Sequence, residues 1–504
     1  MPDNPGRTPF ALADPAFAEL AAGRPSASTL ATVRRSQLSR HLLLLSEIAR
    51  AAPGPGYAAL AAAELRDPAA VRRRLADPLV GAWAAGCLAA LHRGEPAPAA
   101  GIAHLTALAA GPPSTGHRLT ADEAGLIIDV RLEDTDPLRE RLGLTPAGRL
   151  AEADLARWRR LFADAWRLLV TRHRAAAEVV AAVVTVIVPV VPDPAARGIS
   201  ATSADAFGAV AMSPPADATS LAVALIHETQ HSLLNAVQHL FDLHERPADG
   251  GYSPWRDDPR PAAGILHGAY AYLAVAGFWR RQWHADPGDG LAAFEFVRWR
   301  DAVAAAAREL LAGDGLTAAG RRFTEALLAE VEPWLNEPAA GLTRRVAGGD
   351  VVRWARGANR DHYLRWRLRN QAVDPADVQT LADAWRRGRP PPAGAIRSRL
   401  VPAPQRALES SARLDLAHAW VGGEQPGGRA SAADIAYLGG DGGAAAVAYE
   451  NMILIGSCDA AAWAGIALVR GWERVEVLAA VHRALRPEVV DVTALARWMS
   501  PALA

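Results

Sequence analysis

Near the middle of this 504-residue chain, "ALIHETQHSLLNAV" (Ala224 to Val237) sets two histidines four residues apart in an apolar run. Four residues is slightly more than one helical turn, so His227 and His231 project from the same face, one above the other. Leu221, Val223, Leu225, Ile226, Leu233, Leu234 and Val237 give the same helix apolar surface that must be buried. At this spacing two imidazole nitrogens can reach one ion at about 2.0–2.2 Å. The preceding run "AAAEVVAAVVTVIVPVVP" (Ala175 to Pro192) ends in β-branched residues and reads as a helix leading into a buried strand. "GISATSADAFGAVAMSPPAD" (Gly198 to Asp217) is small and alternating, and reads as a strand and loop packed beside the metal helix.

The remaining pattern is mostly helical. "RRSQLSRHLLLLSEIARAA" is amphipathic, and a second helical stretch opens at Asp67-Pro68 and ends near Gly94. Pro- and Gly-rich loops at 94–101 and 110–116 follow. "AGLIIDVRLED" (Ala124 to Asp134) is a strand, and a long helix from about Ala151 to Val180 comes after it. Beyond about Arg300, "RDHYLRWRLRNQAVDPADVQTLADAWRRG" gives helix, Pro-containing turn, helix. Ser431 to Gly471 has the small-residue, Tyr449 and Trp463 spacing of one tetratricopeptide-like helix pair. The expected fold is α+β and mostly helical. A zincin-like HExxH helix lies beside a small sheet, with helical regions at 1–118 and 301–504 flanking a metal-binding catalytic region at 119–300.

Composition narrows the function classes. The chain is 50% hydrophobic and 21% charged with zero formal net charge, and every cation except histidine is arginine. That balance excludes bulk electrostatic binding to nucleic acid. The apolar run at 175–192 carries Glu178 and ends in prolines, so it reads as core and not as a membrane span. The first 17 residues have no basic region followed by an apolar one, so the expected location is the cytoplasm. Cys87 and Cys458 stand alone, as reduced thiols do, which argues against iron–sulfur and cysteine–zinc sites. Arg353, Arg356, Arg360, Arg365, Arg367 and Arg369 form a cationic cluster; a solvated helix face is its simplest reading, and a docking surface for an acidic peptide is the other.

The third ligand decides the chemistry. An astacin-like extension needs glycine at Leu234 and histidine at Val237, and has neither. A thermolysin-like glutamate is not evident, since Glu245 stands at a helix end and Glu295 lies 64 residues on without a supporting motif. His267 is the better candidate: it begins an apolar helix 36 residues after His231, and Gly264 and Gly268 would let its backbone approach an ion. His239 is turned about 80° from His231 on the helix wheel, and His244 falls past the helix end. Asp242, Asp257 and Asp258 are carboxylate substitutes for His267. Glu228 would be the general base of a zinc metallopeptidase acting on a peptide, which is the alternative enzyme class. Upstream of His267, "SPWRDDPRP" holds Arg256 and Arg260. A peptidase has no need of them there, whereas a small dicarboxylate would be bound by either in bidentate fashion; ion pairing with Asp257 and Asp258 is the competing reading.

Taken together, "HETQHSLLNAV", "YSPWRDDPRPAAGILHGAYAY", "RRSQLSRHLLLLSEI", "HYLRWRLRN…DPADVQTLADAW" and "DAAAWAGIALV" resemble the HExxH-domain proteins of bacterial ribosomal peptide natural-product clusters. The resemblance covers most of the chain. It implies an iron(II)- and 2-oxoglutarate-dependent oxygenase, using O2, that β-hydroxylates a residue of a ribosomally made precursor peptide beside other maturation enzymes. The chain lacks the cysteine triad of the radical S-adenosylmethionine enzyme fused to some members, so it is similar to the stand-alone form. On this reading His227, His231 and His267 hold iron, Arg256 or Arg260 grips 2-oxoglutarate, and Glu228 orients water, a ligand or the substrate. Iron oxygenases of this kind usually have two histidines and one carboxylate, so three histidines would be a departure.

Overall fold

The computed structural model describes all residues except 1–9, 96–115, 195, 197, 246–249, 338–349, 393–395, 402–410, 425–427, 457–459 and 504. The two expected loops at 94–101 and 110–116 lie almost wholly outside the described residues, as does Cys458; Cys87 is a buried free thiol. The fold is mostly helical with a small mixed sheet. Two units divide the chain: residues 1–245, 270–278 and 316–330 form the first, and residues 246–269, 279–315 and 331–504 the second. The region boundary drawn at 118/119 falls inside a strand, and the one at 300/301 inside a helix.

The first unit opens with α1 (Asp14–Ala21), α2 (Ala27–Ala51), α3 (Pro55–Arg66), α4 (Pro68–Leu75) and α5 (Pro78–His92). The stretch from Asp67 to Gly94 is two helices. Pro78 cannot donate to the preceding turn and Asp77 caps the new helix through the Leu79 amide, so the chain bends by 69° there. The sheet follows: β1 (His117–Glu123), β2 (Leu126–Leu132), β3 (Val186–Pro189), β4 (Ser200–Ala201) and β5 (Ala209–Met212), in the order β1-β2-β3-β5-β4. β2, β3 and β5 run parallel, and the edge strands β1 and β4 are antiparallel to their neighbours. β3 and β5 are buried along their whole length, as inner strands covered on both faces must be. Gly208 leads into β5 at φ +89, where any Cβ would collide with the Val183 carbonyl, so only glycine fits.

Between β2 and β3, the expected single helix is α6 (Glu152–Arg172) and α7 (Arg174–Val183). The break falls at His173, at φ −132, whose buried ring stacks on Phe278 with centroids 4.1 Å apart. No proline or glycine marks it, so a tertiary stacking contact overrides local helix propensity here. After β5 comes α8 (Ala218–Gln238), which carries the two motif histidines. Asp217 accepts from the Ser220 amide at 2.7 Å and fixes its start. Leu221, Leu225, Leu233, Leu234 and Val237 are at most 1% exposed, each contributing about 1.5–3 kcal/mol by burial.

α9 (Ala262–Ala285) gives Tyr270–Phe278 to the first unit and its two ends to the second. It is long and apolar enough to cross a membrane by length and composition alone, as the bent α4–α5 pair is taken together, but over half of its apolar window is buried inside the protein. A buried core helix accounts for it. α11 (Ala318–Val331) belongs largely to the first unit, and the rest of the second unit is helical: α10 (Gly290–Ala312), α12 (Val351–Asn370), α13 (Pro375–Arg386), α14 (Ala412–Val421), α15 (Ala432–Leu438), α16 (Gly442–Leu454), α17 (Ala460–Arg470), α18 (Val475–Ala484) and α19 (Val492–Leu503). The Pro-containing turn between α12 and α13 also holds β6 (Gln371–Val373), which pairs with β7 (Ser398–Leu400). Among the described residues, 431–471 hold α15, α16 and α17. Gly465 of α17 lies flat against the Tyr449 ring of α16, where a side chain would collide. Buried Arg413 ties this region together, reaching Asp361 and, at 2.8 Å, Asp434, while Tyr449 donates to Asp434 at 2.6 Å.

Candidate metal centre

The centre is built on α8, and its two imidazoles meet as the four-residue spacing demands. His227 and His231 bring their Nε2 atoms to 3.1 Å, with ring planes 86° apart. Both residues are half-buried. Burial lowers both basicities and pushes His231 down to about 4, which leaves the neutral form that a metal ion requires. Tyr272, from the part of α9 in the first unit, sets its ring edge-on to His227 with centroids 5.0 Å apart.

Glu228 completes the group. Among the described residues, His227, Glu228 and His231 form a set whose ligand atoms lie within 4.8 Å of one another. The Glu228 carboxylate is only 2% exposed and engaged at both oxygens. Ser200 of β4 donates to Oε1 at 2.6 Å, and Thr202 donates to Oε2 at 2.5 Å. Thr202 also lies 3.4 Å from the Glu228 carbonyl oxygen. Two hydroxyls from the sheet edge therefore orient the carboxylate and pin α8 to β4. Sequence reasoning put a strand and loop beside this helix, but nothing local in "GISAT" marks Ser200 and Thr202 as the partners of Glu228.

The donor set fits a transition metal. Two imidazoles whose Nε2 atoms lie 3.1 Å apart could hold one ion between them.

The other predicted residues stand as follows. His267 lies half-buried in the first third of α9, within the second unit, and is not a member of that close group. The glycines beside it have a different task from the one expected. Gly268 makes room for the Trp255 indole, and Gly264 for Arg260, whose Nε would lie 2.9 Å from an added Cβ. Arg256 chelates Asp258 at 2.7 and 3.2 Å, and Arg260 reaches the same carboxylate at 3.3 Å. Burial alone would raise the Asp258 pKa, but the two guanidinium groups outweigh it and hold the carboxyl below its usual range. Asp257 pairs with Arg369 at 3.5 Å. His239 hydrogen-bonds Gln37 at 3.2 Å, His244 sits in a bridge to Leu316, and Glu295 accepts from His418 at 2.6 Å. Asp242 and Glu245 are exposed.

The arginine cluster on α12 is engaged inside the second unit. Arg353 donates to the Tyr437 and Leu438 carbonyls, and Arg356, Arg360, Arg367 and Arg369 pair with Asp301, Glu473, Glu476 and Asp257. Arg365 alone of the six has no such partner among the described residues. No protein-family model and no curated protein matches the chain, so the chemistry of these side chains carries the functional reading.

Proposed function

We propose that this protein is an iron(II)- and 2-oxoglutarate-dependent oxygenase that β-hydroxylates a residue of a ribosomally synthesised precursor peptide in the cytoplasm, alongside other maturation enzymes. The fold reading that accompanies it is zincin-like: an HExxH helix packed beside the antiparallel edge strand of a small mixed sheet. His227 and His231 would hold the iron, with His267 as the third ligand that the motif resemblance implies. Bound iron would supply the oxidative chemistry, in which decarboxylation of 2-oxoglutarate to succinate is coupled to insertion of one oxygen atom into the substrate.

The observation that carries this reading over a zinc peptidase is the state of Glu228. A peptidase needs that carboxylate turned to a metal-bound water as general base. Here both oxygens accept hydroxyls from Ser200 and Thr202, an arrangement suited to fixing the helix and orienting its neighbours. The substrate class rests on the motif resemblance. Arg256 or Arg260 would grip the distal carboxylate of 2-oxoglutarate, and Asp258, which now occupies both, would have to yield.

The test is incubation of the protein with Fe(II), 2-oxoglutarate, ascorbate and its precursor peptide, followed by mass spectrometry. A gain of one oxygen on the peptide is expected. A shortened peptide made by zinc-loaded protein would overturn the assignment in favour of proteolysis.

A further inference from the structure

A histidine that binds an ion needs its ring fixed as well as placed. The second ring nitrogen usually does this, by donating to a carbonyl, a carboxylate or water. Among the described residues His227 lacks that device: the approach of its Nε2 to the Nε2 of His231, at 3.1 Å, is the one polar contact its ring makes. The adjacent carboxylate, Glu228, is committed to Ser200 and Thr202. Packing holds the ring instead. His231 stands edge-on to it with centroids 4.7 Å apart, and Tyr272 stands edge-on at 5.0 Å with the planes 79° apart. That separation and angle are ones that aromatic pairs favour.

Tyr272 is itself held in place along α9, within the first unit. Two residues earlier, Tyr270 is fully buried. Its hydroxyl donates to the Leu20 carbonyl at 2.5 Å, and its ring packs against Phe323 at 5.2 Å. Two residues are about 200° of helix, so Tyr270 and Tyr272 leave nearly opposite sides of α9. One ties the helix to α1, and the other meets α8. Six residues after Tyr272, Phe278 stacks on the buried His173 ring at 4.1 Å. The Tyr272 backbone is fixed between these two anchors, and its ring is a wall against which His227 rests.

We propose that Tyr272 is a positioning residue of the metal centre, whose ring takes the place of an outer hydrogen bond and holds the His227 imidazole in the orientation that presents Nε2 to an ion. The proposal rests on the metal centre and not on the choice of oxygenase over peptidase, because either enzyme needs the same imidazole presented. The ring carries the effect and not the hydroxyl, so phenylalanine keeps it and an aliphatic side chain loses it. Without the wall, His227 samples rotamers that cannot ligate, and that freedom must be given up when an ion binds.

The test measures Co(II) binding to full-length protein at neutral pH, by competition with a chromophoric chelator and from the visible spectrum of bound cobalt. Tyr272→Leu should weaken binding about 3- to 10-fold, the range that one aromatic pair contributes, and alter the cobalt bands. Tyr272→Phe should match wild type in both. Tyr272→Met covers the case in which the leucine variant does not fold. Phe278→Leu removes the stack on His173; it should lower the urea midpoint and leave cobalt affinity unchanged, which separates a held ligand from general loosening. The proposal is overturned, with the centre still standing, if the aliphatic Tyr272 variants bind cobalt as tightly as wild type. The same follows if Tyr272→Phe or Phe278→Leu binds it as weakly as Tyr272→Leu. If wild type binds no cobalt, or His227→Ala binds it as wild type does, the centre itself falls and the proposal with it.

Discussion

At the scale of single residues, the motif histidines were legible because their chemistry depends only on a four-residue helical spacing. Their environment was not. Ser200 and Thr202 stand 28 and 26 residues before Glu228, and only the pairing of β4 with β5 brings them to it. The same limit applied to the arginines. A sequence can mark Arg256 and Arg260 as a possible fork, but it cannot say that Asp258 chelates one and reaches the other. The half-exposed Asp258 cluster gives a direct prediction. If Arg256 or Arg260 is the 2-oxoglutarate clamp, Asp258 competes with the ligand. Asp258→Asn should then tighten 2-oxoglutarate binding to the Mn(II)-loaded protein about fivefold, because an exposed pair is worth about 1 kcal/mol. Calorimetry giving unchanged or weaker affinity would remove both arginines from the co-substrate site.

At the scale of elements, strong periodicity was read correctly and tertiary overrides were missed. α2, α8, β2 and β3 follow from apolar spacing. β1, "HRLTADE", is polar on most positions and forms because β2 offers it a backbone edge, with Leu119 opposite Val130. The break at His173 arises from stacking on Phe278, which no local pattern encodes. α8 carries the candidate metal centre, and its burial predicts how it fails. Leu225→Ala and Leu233→Ala should each cost about 2–5 kcal/mol in urea unfolding. Gly208→Ala should cost at least about 1–3 kcal/mol, since the added Cβ meets the Val183 carbonyl at a backbone angle that favours glycine. Values below about 1 kcal/mol at Leu225 or Leu233 would mean that α8 is not the packed core helix described here.

At the scale of the whole molecule, burial of neutral imidazoles ties stability to pH. His231, His239 and His362 are each pushed down to about 4, burial being the leading cause in every case. In an unfolded chain they would titrate near 6.5. Between these values the unfolded chain binds more protons, so stability is full above about pH 6.5 and is lost as pH falls towards 4. The urea midpoint of metal-free protein should therefore be level above about pH 6.5 and drop from there to pH 5, and a constant midpoint over the lower interval would contradict the burial of these rings. The central claim, that α8 carries an oxidative and not a hydrolytic centre, is tested most directly by 2-oxoglutarate turnover. Succinate formation under air should require Fe(II), vanish in His227→Ala and His231→Ala with the fold retained by circular dichroism, and persist in Glu228→Gln. Absence of succinate from the Fe(II)-loaded wild type, together with peptide cleavage by the zinc-loaded protein that Glu228→Gln abolishes, would contradict the account.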